Sequence, residues 1–180
     1  QFPDDQAAII NITPTVQPNL SVNSVSVGTN PVATKVLNTV SFNVLNNGTR
    51  DAVSSTAAVY LSKDQTLDQS DILLATVDVG SISMGGSVNK TADIIIDAEN
   101  AGTYYILVEA DADHKVHESN ETDNVTALQI TVTITPAVSG EFRTIASGNW
   151  TSTTTWQYYN GTDWVTPPSF PTSTNDAITV

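Results

Sequence analysis

From Leu128 to Thr135 the chain alternates strictly: Leu128, Ile130, Val132 and Ile134 are apolar, and the residues between them are polar, mostly threonine. A period of two puts one set on one side of an extended strand and the other set on the opposite side. Six earlier segments carry related signals between turn-forming residues. Leu20–Val27 is the first, and a change of apolar parity between Val22 and Val25 predicts a bulge there. The second has Val36, Val40, Phe42 and Val44 on one face and closes at Asn46-Asn47-Gly48. The third turns Ala57, Val59 and Leu61 inward, and the fourth runs from Ile72 to Val79 and stops at Gly80. The fifth aligns Ala92, Ile94 and Ile96, and the sixth aligns Tyr104, Ile106 and Val108. No segment shows a 3.6-residue period, so the chain is expected to be all-β. Each buried Val, Leu or Ile contributes about 1.5–3 kcal/mol, and pressing the apolar sides of two sheets together supplies a core. Seven short strands at this spacing predict an immunoglobulin-like β-sandwich followed by a partial second β module.

The expected division is a linker or extra strand over residues 1–17, the sandwich over 18–136, and a linker with the start of a second β-rich module over 137–180. All three tryptophans (Trp150, Trp156 and Trp164) fall in the last part, with Tyr158 and Tyr159. Asp176 to Val180 reads as a strand cut short, and Gln1 as a mature terminus after signal cleavage or an internal cut point. The natural chain is therefore expected to continue.

Charge narrows the function classes. Nineteen acidic residues against six basic ones leave a formal net charge of −13. That balance repels nucleic acid and anionic membrane surfaces, and no apolar run approaches the roughly 20 residues that span a bilayer. The absence of cysteine removes thiol catalysis, thiolate zinc sites and iron–sulfur clusters. No Gly-x-Ser-x-Gly elbow, phosphate-cradling glycine loop or HExxH helix is present.

Acid-rich connections are the candidate sites. Asp111 and Asp113 share a side of an extended chain, and Glu118 and Glu121 converge if the chain turns at Ser119-Asn120. Calcium takes six to eight oxygens, so these four carboxylates are candidate ligands for one ion, with backbone carbonyls near His114 or Val116. The competing reading is that Glu118, Asn120, Glu121 and Asn124 tie the turn to backbone amides. A second acidic set, Asp64, Asp68 and Asp71, is expected at the opposite end of the sandwich, near Asp97 and Glu99. His114 and His117 read as exposed loop histidines rather than as a zinc site. Trp150, Trp156, Tyr158 and Trp164 are candidate sugar-stacking residues, or else the packing of the second module.

Several of these stretches resemble one family. Pro18-Asn19-Leu20-Ser21-Val22, Val44-Leu45-Asn46-Asn47-Gly48-Thr49 and Gly102-Thr103-Tyr104-Tyr105 are similar to CARDB, the cell-adhesion-related domain found in bacteria. So is Tyr60 to Asp64, with Asp71 beyond it. The most specific stretch runs from Ala110-Asp111-Ala112-Asp113 to Glu118-Ser119-Asn120-Glu121-Thr122-Asp123-Asn124, which resembles an aspartate followed by an ExNExxN signature. His114 and Lys115 depart from the pattern, where the family often has Asn or Gly. The resemblance covers residues 18–135 or so and implies an immunoglobulin-like sandwich used as a spacer or adhesive module of secreted or surface proteins. It names no ligand. The C-terminal piece resembles the entry to β-solenoid modules of exported bacterial proteins. The expected function is a non-catalytic, calcium-stabilised adhesion or spacer module outside the cell, meeting surface glycans or extracellular proteins. The alternative is a carbohydrate-binding accessory module of a polysaccharide-degrading enzyme.

Overall fold

The computed structural model describes residues 16–98, 100–135 and 140–172, together with the backbone of 178–179. Glu99, most of the expected N-terminal linker and the boundary residues 136–139 lie outside the described residues. The chain divides into two compact units, residues 1–134 and 135–180.

Among the described residues, the first unit contains eight strands in two sheets. They are β1 (Leu20–Val27), β2 (Val32–Ala33), β3 (Leu37–Asn46), β4 (Ala52–Ser62), β5 (Ile72–Ile82), β6 (Ser87–Ile95), β7 (Gly102–Glu109) and β8 (Val125–Thr133). One sheet has the order β1-β3-β6 and the other β2-β8-β7-β4-β5. Seven of these strands coincide with the alternating segments. The eighth, β2, is two residues long and pairs in parallel with Val132 and Thr133, a contact too short to leave a period in the sequence. The parity change in β1 is a register shift between Asn23 and Ser26 against β3, and Ser24 sits there at φ +57°.

Inward residues of both sheets meet in one core, with Val40, Phe42, Val44, Ala92 and Ile94 from the first and Val59, Leu61, Ile106, Val108 and Ile130 from the second. Two apolar residues expected inside, Val36 and Ile134, lie outside it and are exposed, as is Ile72. Val36 precedes β3, Ile72 begins β5, and Ile134 follows the last residue of β8. At strand ends the facing sheet no longer covers the side chain.

The second unit holds β9 (Phe142–Thr144), a 3₁₀ turn (Thr153–Thr155), β10 (Trp156–Tyr159), β11 (Trp164–Val165) and β12 (Ile178–Thr179), with the sheet order β11-β10-β9-β12. Among the described residues, no helix is long and apolar enough to cross a membrane.

Candidate functional site

Three segments far apart in sequence meet at one end of the first unit: the entry to β1, the β3–β4 turn and the β7–β8 loop. Asn46 is the hub of the turn and is fully buried. Its Oδ1 accepts the N–H groups of Asn19 and Gly48, each at 3.1 Å. Its Nδ2 donates to the carbonyls of Arg50 at 2.8 Å and Ile82 at 3.0 Å. The carboxamide therefore uses both lone pairs and both protons. Gly48 follows because a Cβ there would collide with the backbone of Gln17, Pro18 and Asn19.

The β7–β8 loop closes on the same place. Ser119 donates its N–H to the Pro18 carbonyl at 2.9 Å, and its hydroxyl donates to Asn19 Oδ1 at 3.1 Å. Asn19 Nδ2 donates to Asn47 Oδ1 at 2.7 Å and to Asp123 Oδ2 at 2.9 Å. Glu118 is buried; its Oε2 accepts the Leu20 N–H, and its Oε1 accepts Asn124 Nδ2 at 2.9 Å. Burial pushes the Glu118 carboxyl up from its ordinary value, and these two donors oppose the shift. Glu121 is outside this core of the lock and accepts the Glu118 N–H at 2.9 Å.

Asp111 and Asp113 sit beside the lock. Asp111 is buried and accepts the N–H groups of Lys115 at 3.1 Å and Val116 at 3.0 Å. Burial raises its carboxyl despite those bonds. Asp113 accepts the Thr56 N–H at 3.0 Å and faces Lys115 Nζ at 2.6 Å. Desolvation alone would raise Asp113, but Lys115 and the Thr56 amide outweigh it and bring it to about 2. Asp111 and His114 both take φ +50°. Glycine adopts that left-handed conformation freely, and Asp and His adopt it more readily than most other residues.

The expected calcium cage of Asp111, Asp113, Glu118 and Glu121 is not formed. Each carboxylate accepts backbone N–H groups from its own loop or from a neighbouring segment. Among the described residues, no three His, Cys, Asp or Glu side chains come together to hold a metal ion. Buried side-chain oxygens left without a hydrogen-bond partner include Asp123 Oδ1 and Asn124 Oδ1.

Asp64, Asp68 and Asp71 lie at the other end. β4 runs antiparallel to β7, with Ala58 opposite Glu109 and Ser62 opposite Tyr105, so the loop after β4 and the loop after β7 emerge at opposite ends of the sheet. This second set is not a cage either. Asp64 Oδ1 accepts the Thr66 N–H at 2.8 Å, Asp68 Oδ1 accepts the N–H and hydroxyl of Ser70, each at 2.7 Å, and Asp71 Oδ2 accepts the Asp68 N–H at 2.9 Å. The Ser70 bonds lower the Asp68 carboxyl. His114 and His117 are exposed.

In the second unit the aromatic side chains are divided between packing and surface. Trp156 is 1% exposed, and its Nε1 donates to the Trp150 carbonyl at 2.9 Å. A buried ring offers no face to a sugar, so Trp156 is a core residue rather than a ligand-binding one. Trp150 packs edge-on against it at 4.6 Å and is 50% exposed. Tyr158 packs on Phe142 at 5.2 Å. One face of Trp164 is covered by the Arg143 guanidinium at 4.3 Å, and that guanidinium is held by Gln157 at 2.6 Å.

Nothing in the sequence alone marks Asn46 and Asn19 as site residues. The Asn46-Asn47-Gly48 tripeptide marked a turn, but turn chemistry alone does not reveal that one asparagine is buried with four partners.

The CARDB family model matches residues 17–128. The CARDB domain of the PF1109 protein from Pyrococcus furiosus, crystallised in complex with di-metal ions, superposes with a TM-score of 0.50 at 22% identity, covering 68% of this chain and 98% of that one. A domain of a Methanosarcina acetivorans protein described as a cell-surface candidate superposes with a TM-score of 0.49 at 23% identity, covering 65% and 93%. β-glucosidase 3B from Thermotoga neapolitana reaches 0.45 at 16% identity, covering 63% of this chain and 16% of its own. No curated protein matches the chain.

Proposed function

The chain belongs to the CARDB family, and from that premise we propose that it serves as a non-catalytic adhesion and spacer module of a large secreted or cell-surface bacterial protein. In this reading the first unit is an immunoglobulin-like sandwich, with β1-β3-β6 packed against β8-β7-β4-β5, and β2 as an added edge.

One observation carries the proposal: the first and last strands of the sandwich are bonded to each other. Thr126 on β8 donates its hydroxyl to the Val22 carbonyl on β1 at 2.7 Å. β2 and β8 run in parallel, and Thr34 extends that contact by donating its N–H to the Thr133 carbonyl at 2.9 Å. The Leu20 N–H is held by Glu118 on the loop that leads into β8. Tension applied through the two ends of such a unit loads these bonds together instead of peeling them one by one, which suits a module that must keep its length. The carboxylates at the locked end already serve the fold, which supports a structural role for them over a catalytic one. Partners, surface glycans or other extracellular proteins, would be met through exposed loops and edge strands. The net charge of −13 disfavours nucleic acid as a partner.

Single-molecule pulling on tandem copies of the full chain tests this. Wild type should hold to a higher force than Glu118→Ala, with the loss concentrated in the first unfolding barrier. Equal forces, or turnover of a glycoside substrate by the chain, would overturn the proposal.

A further inference from the structure

The sequence contains two Asn-Gly pairs, Asn47-Gly48 and Asn160-Gly161. An asparagine followed by glycine is chemically vulnerable, because the next backbone nitrogen can attack the side-chain carboxamide without a side chain in the way. The two pairs stand in opposite environments.

At Asn47 the reaction is blocked. The attacking group, the Gly48 N–H, is donated to Asn46 Oδ1 at 3.1 Å. Gly48 is also packed against the backbone of Gln17, Pro18 and Asn19, so the nitrogen cannot swing toward the carboxamide.

Asn160 begins the loop between β10 and β11, and both Asn160 and Gly161 are exposed. Its Oδ1 accepts the N–H groups of Thr162 at 2.9 Å and Asp163 at 2.8 Å. These two fixed donors point at the oxygen on which negative charge develops when the carboxamide carbon is attacked, the arrangement that stabilises a tetrahedral intermediate. The Gly161 N–H makes no hydrogen bond among the described residues. Asn120 and Asn149 make similar turns, accepting the N–H groups of Thr122 and Thr151, but Glu121 and Trp150 follow them and shield the carbon.

We propose that Asn160 is a site of spontaneous deamidation in the folded protein, and that Asn47 is protected by the fold. The Gly161 nitrogen forms a bond to Asn160 Cγ and loses its proton to solvent. The Cγ–Nδ2 bond breaks and ammonia leaves. Water then opens the resulting succinimide to aspartate or isoaspartate. Each event adds one negative charge at the tip of the hairpin. An aspartate there keeps both acceptor contacts in charge-assisted form, so that product is compatible with the turn.

Peptide mapping by mass spectrometry of the full chain, incubated at mildly alkaline pH with and without denaturant, tests the proposal. In the native chain Asn160 should convert at least about tenfold faster than Asn47, whose reaction requires local opening. In denaturant the two rates should approach each other. Native Asn47 converting as fast as Asn160 would overturn the proposal. So would an intact Asn160 in the native chain, or an Asn47 that stays slow when unfolded.

Discussion

The side chain of Glu118 accepts the backbone N–H of Leu20, 98 residues earlier in the chain. The bond joins the loop before the last strand of the sandwich to the first residue of its first strand. Its other oxygen holds Asn124, so one buried carboxylate closes both the sheet entry and its own loop. Removing it orphans two donors, each costing roughly 1–3 kcal/mol. Glu118→Ala should lose about 3 kcal/mol in chemical denaturation. Glu118→Gln should lose somewhat less, because its amide turns a donor toward a donor on one side only. Wild-type stability in the alanine variant would show that the bond contributes nothing.

Asp113 gives a pH signature. Its folded value is about 2, below the ordinary 3.8. A depressed carboxylate contributes stability that is complete above the unfolded value and is lost as pH falls through the folded one. The melting-temperature gap between wild type and Asp113→Asn should therefore be open above pH 3.8 and close on acidification toward 2. Glu118 has the opposite sign: burial raises it above 4.5, so its ionisation lowers stability as pH rises from there. A gap that is constant with pH would assign the Asp113 effect to shape alone.

Chelation separates a carboxylate lock from a calcium shell. A chelator should leave the melting temperature within about 1 °C, because an ion present at 100 times its dissociation constant would add about 2.7 kcal/mol. A drop of several degrees, restored by calcium, would mean that the loops rearrange around an ion.

Gly48→Ala and Asn46→Ala should both be costly, by roughly 2–4 kcal/mol, but for different reasons. The first forces a Cβ into the backbone of residues 17–19, and the second leaves four backbone partners unmet, two of them in buried bonds. Thermal melts of the two variants check this. A neutral Gly48→Ala would mean that the entry to β1 can move away freely.

Much of this fold could be read one strand at a time. Alternation is a local property, and it located seven strands, the β1 bulge and the Asn46-Asn47-Gly48 turn, because a strand's two sides are set by its own backbone. Burial at strand ends could not be read that way: Val36 and Ile134 keep the pattern but leave the cover of the opposite sheet. The aromatic group likewise had one signature in sequence and two fates, since Trp156 became core while Trp150 stayed half exposed.

The sequence by itself determined that the chain is β throughout, that its acids gather in connections, and that it carries the CARDB motifs. The tertiary structure alone decided what those acids do. Four carboxylates within eleven residues can surround an ion or can each take backbone N–H groups. The choice depends on whether other carboxylates or free amides lie nearest once distant segments meet. Here the topology brings Leu20 to Glu118 and Thr56 to Asp113, so each charge finds its partner in the chain's own backbone.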